Sequence, residues 1–91
     1  MMPRERIGYR VVGTIKEIKG SCGWGHKVGE KLELSMHDTA GMCGLFYHDI
    51  FPWIVALQTG GEYPWGDREA VTLECMDREN AVKIELRRVR D

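Results

Sequence analysis

Leu45-Phe46-Tyr47-His48-Asp49-Ile50-Phe51-Pro52-Trp53-Ile54-Val55-Ala56-Leu57-Gln58-Thr59 is the stretch on which the fold turns. Its large apolar residues Phe46, Ile50, Trp53, Ile54 and Leu57 recur at spacings of four, three, one and three, which places them on one stripe of a helix. A stripe of that kind exists to be buried, so the segment predicts a helix laid on a core. Pro52 lacks an amide hydrogen and predicts a kink or the start of a second short helix. Gly60-Gly61 supplies the stop.

On either side the hydrophobic period changes from 3.6 to 2. Upstream, Ile7 to Ile18 sets Ile7, Tyr9, Val11 and Ile15 against Arg10, Thr14 and Lys16, and Lys31-Leu32-Glu33-Leu34 alternates cleanly. Gly13 falls on the apolar face of the first strand and marks a bulge or a close backbone approach. Downstream, Val71, Leu73 and Cys75 share one face and Val82, Ile84 and Leu86 another, with Asp77-Arg78-Glu79-Asn80 between them. Glu62-Tyr63-Pro64-Trp65-Gly66-Asp67 reads as a turn-rich connection with Tyr63 and Trp65 lying across the sheet or helix. The expected fold is α+β: a small, mainly antiparallel sheet in β-β-α-β-β order, with one kinked or split helix on one face.

A chain of 91 residues is long enough for one core and too short for two, so residues 1–91 are expected to form a single domain. Hydrophobic residues are 43% and charged residues 30%, ordinary globular usage that argues against disorder. Thirteen Lys and Arg against fourteen Asp and Glu leave a formal charge of -1, and the short basic tail Arg87-Arg88-Val89-Arg90 does not make a nucleic-acid footprint. No apolar run approaches the ~20 residues that span a bilayer, and Met1 to Arg6 has no apolar stretch of a signal peptide. A cytoplasmic location is the expectation. Three cysteines, an odd number without an export signal, point to free thiols or metal ligands rather than a disulfide framework.

The chemistry gathers in two segments. Lys19-Gly20-Ser21-Cys22-Gly23-Trp24-Gly25-His26 has Gly at three of eight positions and is a loop, and Gly41-Met42-Cys43-Gly44 stands just before the helix. Cys22, His26, Cys43 and Cys75 together match the four-ligand appetite of zinc, although no paired C-x2-C unit declares a structural site. Cys75 is the weakest of the four, because it aligns with Val71 and Leu73 on a core face. Cys43 is the best-placed reactive thiol, since unpaired amides and the dipole at a helix start favour a thiolate, while burial against Met42 or Phe46 opposes it. Lys27 beside His26 favours the neutral imidazole that binds metal or takes a proton. His37-Asp38 reads as turn material and His48-Asp49 as a solvated helix face. The glycines match neither a dinucleotide-binding loop nor a P-loop.

Taken together, Cys22-Gly23-Trp24-Gly25-His26-Lys27-Val28-Gly29, Gly41-Met42-Cys43, Gly60-Gly61-Glu62-Tyr63-Pro64-Trp65 and Cys75-Met76-Asp77 resemble a family of short prokaryotic proteins of uncharacterised function. That family carries C-x-x-G-H-K-x-G, G-x-C, G-G-x-x-P-W and C-P-D motifs in this order. The resemblance covers nearly the whole chain and implies a shared fold unit with a cysteine-based site at Cys22, His26, Cys43 and Cys75, but no activity. Met76 stands where the pattern has proline, which relaxes the geometry after Cys75 and weakens its claim as a ligand.

Three functions fit these residues. The first is a small metal-binding accessory domain, with zinc or iron held by the Cys/His cluster. The second is a thiol-based redox or nucleophilic enzyme using Cys43 or Cys22 with His26 as base, which would need an orienting group that the sequence does not identify. The third is a module that meets a protein partner through a sheet edge or a Trp-rich surface, its cysteines being structural. Neither nucleic acid nor membrane is indicated as a partner.

Overall fold

The computed structural model describes residues 8–61 and 68–89. Within them the chain runs β1 (Arg10–Glu17), β2 (Lys31–Leu34), α1 (Gly44–Gln58), β3 (Ala70–Glu74) and β4 (Lys83–Val89), the α+β order expected from the alternating and helical periods. The predicted turn from Glu62 to Asp67, with Tyr63 and Trp65, lies outside the described residues, as do Ile7 and Arg90.

All strand pairs are antiparallel and the sheet order is β2-β1-β4-β3, so the first and last strands form its centre. β1 aligns Val11 with Arg88, Gly13 with Leu86 and Ile15 with Ile84, then slips at a bulge between Ile15 and Glu17. Gly13 itself is a close approach rather than the bulge. A Cβ there would stand 2.7 Å from the end of Ile84 and 3.0 Å from that of Leu34.

Alternation decides the two faces. Val11, Ile15, Leu32, Leu34, Ile84 and Leu86 point inward, where Phe46, Ile50, Ile54 and Leu57 of α1 cover them, and every one of these side chains is buried. Burying a Leu, Ile or Phe stabilises a fold by roughly 1.5–3 kcal/mol, so this stripe fixes the helix on the sheet. Trp53 is only half-buried at its edge. Where the sequence predicts a kinked or split helix, the helix runs unbroken through Pro52, so it is not split. Pro52 and His48, whose carbonyl loses its amide partner, are both exposed, so the freed carbonyl is open to solvent while the buried stripe holds both halves.

Arg88 breaks the alternation usefully. It occupies an inward position of β4 and is buried, with its guanidinium under the end of α1. Nε donates to Leu57 O at 2.8 Å, Nη2 to Gly61 O, and Nη1 pairs with Glu69 Oε2 at 3.1 Å. The Tyr9 ring lies 5.1 Å from the guanidinium carbon. The last turn of α1 holds no basic residue, so this arginine from the sheet supplies the cation that the helix C-terminus favours. Among the described residues no helix is long and apolar enough to cross a membrane.

Candidate functional site

The Gly-rich loop joins β1 to β2 and is tied down at both ends. Near its start the amides of Lys19 and Gly20 donate to Asn80 O and that of Ser21 to Asn80 Oδ1, anchoring it to the β3–β4 turn. At its close Gly29 N–H donates to Ile15 O at 2.8 Å and Ile15 N–H to Glu30 O at 2.9 Å. Gly25 and Gly29 take φ of 106° and 91°, a region that glycine adopts without strain. The middle of the loop is thereby laid against the segment that precedes α1.

Two side chains make that contact. Trp24 is 60% exposed, yet its indole N–H donates to Gly41 O at 3.1 Å. His26 is buried. Its Nδ1–H donates to Glu30 Oε1 at 2.7 Å, and its Nε2 accepts the backbone amide of Cys43 at 3.2 Å. Only the neutral imidazole with its proton on Nδ1 satisfies both partners. Glu30 thus orients the ring and the Nε2 lone pair faces the Cys43 residue.

Cys43 is the N-cap of the 15-residue α1 and makes no side-chain capping bond. No acidic residue lies in the first turn. Among the described residues the amides of Gly44 and Leu45 carry no hydrogen bond, as expected where a helix begins. A Cβ on Gly44 would meet nothing within 4 Å, and both Gly44 and Leu45 are exposed. The site therefore joins a half-buried thiol, an oriented imidazole and two free backbone donors.

The other sequence-predicted residues are placed differently. Cys22 is half-buried and packs against the core cluster, its carbonyl closing a turn with Gly25 N–H at 3.0 Å. Cys75 is buried just beyond β3, and burial pushes its thiol pKa up. The Asp77 amide opposes that shift, while the charges of Asp49, Asp77 and Cys43 add to it. Such a thiol stays protonated at neutral pH and is a poor ligand or nucleophile. All three cysteines are free. Among the described residues no three His, Cys, Asp or Glu side chains are placed to hold a metal ion, and His26 already uses both ring nitrogens. His37 and His48 are exposed.

Glu30 is the member of this arrangement that sequence reading missed. Its only sequence signal is its place four residues after His26, across a loop without periodicity. No family model, curated protein or solved structure matches the chain.

Proposed function

We propose that the chain acts through the thiol of Cys43 as a nucleophile toward an electrophilic acyl carbon, with His26 as proton acceptor and Glu30 holding the imidazole. The observation that supports this is the line Glu30–His26–Cys43 at an uncapped helix start, with separations of 2.7 and 3.2 Å. It supplies the orienting group that a Cys–His pair needs. For the reaction the Nε2 lone pair exchanges the Cys43 amide for the thiol of the same residue. The thiol proton then passes to Nε2 as sulfur adds to the carbonyl carbon, and the oxygen takes up negative charge. Gly44 and Leu45 amides stabilise that oxygen, and the imidazolium returns the proton to the departing group. Three free thiols suit the reducing, cytoplasmic compartment.

The competing metal reading, with zinc or iron on Cys22, His26, Cys43 and Cys75, has less support, because among the described residues no three such side chains are placed to hold a metal ion. The direct test is p-nitrophenyl acetate as an acyl donor. The expected result is a one-equivalent burst of nitrophenolate with the acetyl group on Cys43, abolished in Cys43→Ala. Acetylation spread over several residues, or none, contradicts the proposal.

A further inference from the structure

The face of the sheet turned away from α1 carries a feature that the thiol site does not use. β1, β2 and β4 together form a shallow concavity of about 570 Å³. Its charged lining consists of Arg10, Lys16, Lys31 and Arg87 with Glu33 and Glu85. That is an excess of two positive charges in a chain whose formal charge is -1.

The excess is not spread evenly. Arg10 is neutralised by Glu33 at 2.7 Å, and Arg87 approaches Glu85 at 3.4 Å. Lys16 and Lys31 form no ion pair among the described residues. Thr14 is the cross-strand neighbour of Lys31, and Lys16 follows it on the same face by two residues, roughly 7 Å along the strand. Two uncompensated ammonium groups therefore lie near a hydroxyl on the β1–β2 side of the floor, while Glu85 is the neighbour of Thr14 on the β4 side.

We infer that this concavity docks an extended acidic peptide segment, whose adjacent carboxylates pair with Lys16 and Lys31. Glu85 stands across from Thr14 on β4 with Arg87 beside it, and Arg10 with Glu33 lies toward the other end of the floor, so the acidic centre of the peptide lies over Lys16 and Lys31 on the β1–β2 side. The breadth of the floor across three strands exceeds what a lone anion covers. A nucleic acid is a poorer match, because among the described residues no aromatic side chain lines the face for bases to stack on, and Glu33 and Glu85 interrupt any phosphate track. This surface lies on the opposite side of the sheet from α1, so the inference stands independently of chemistry at Cys43.

The test is a titration of the full chain with a capped tetraglutamate peptide at low ionic strength, followed by amide chemical shifts, with oligothymidylate as the competing probe. Tetraglutamate is expected to move amides of Val12–Lys16, Lys31–Glu33 and Glu85–Arg87, with binding that weakens as salt rises. Lys16→Glu with Lys31→Glu should weaken it by about tenfold or more, and Lys31→Gln alone by less, while core amide shifts remain unchanged. Absence of shifts, wild-type binding by the double variant, or stronger movement of the same amides by oligothymidylate overturns the inference.

Discussion

Glu30 grips His26 across the mouth of the Gly-rich loop, Oε1 to Nδ1 at 2.7 Å, and so aims the opposite ring nitrogen at the start of α1. A single buried imidazole thus joins loop and helix. It gives the site its order and makes that order vulnerable to one substitution.

His26→Ala leaves the Cys43 amide and the Glu30 carboxylate without their partner. A buried donor left unsatisfied costs about 1–3 kcal/mol, and the truncated ring adds a cavity term. The expected outcome in urea unfolding is a stability loss of about 3 kcal/mol. Faster amide exchange should be confined to Gly25–Glu30 and the first turn of α1, with the β1–β4 centre still protected.

Arg88→Met should be costlier than any exposed arginine change. It removes the cation from Glu69 and the guanidinium donors from the carbonyls of Leu57 and Gly61 at the helix end. Breaking a buried pair from one side costs about 3–5 kcal/mol, and that range is the expectation for the unfolding free energy. Amide exchange should rise first in the last turn of α1. Arg78→Met, at a side chain 78% exposed, should change stability by less than about 0.5 kcal/mol.

Two glycines make a paired test of the backbone. Gly8 has φ 74° and a Cβ there would fall 2.0 Å from Gln58 O, whereas Gly23 has open space around it. Gly8→Ala should destabilise by about 2 kcal/mol or more because the backbone itself must move. Gly23→Ala should stay within about 0.5 kcal/mol. Parallel thermal melts check both.

Alkaline pH should weaken the fold through Cys75. Its folded pKa is raised above 9.0 by burial, so the folded state holds this proton more tightly than the unfolded chain does. That contribution is fully present below pH 9.0 and is lost as pH rises through the folded value. Tyr47, raised above 10.0 by burial with help from Asp38, adds a second loss at higher pH. Urea unfolding between pH 9.0 and 10.0 should show wild type losing stability while Cys75→Val stays flatter.

The elements and the site differ in how far sequence exposes them. The stripe of Phe46, Ile50, Ile54 and Leu57 and the alternation of Leu32 and Leu34 were legible because each repeats the period of its own backbone. Sheet order was not, since alternation tells which face a residue takes and not which strand lies beside it. Arg88 was legible only as part of a short basic tail, because its partners are carbonyls of Leu57 and Gly61 that no side-chain pattern announces. His26 and Cys43 were both legible as chemistry. Their meeting depends on the loop's fold, and the bond joins a ring nitrogen to a backbone amide, which leaves no compositional trace.

The account rests on Cys43 being activated through His26 and Glu30, and the most direct measurement is the iodoacetamide alkylation rate of each cysteine in the folded chain, read by peptide mass. Cys43 is predicted to react faster than Cys22 and Cys75, and Glu30→Gln, which keeps an acceptor oxygen but removes its charge, should slow it about tenfold without unfolding the protein. A Cys43 rate equal to that of the denatured chain and unchanged in Glu30→Gln would contradict the account.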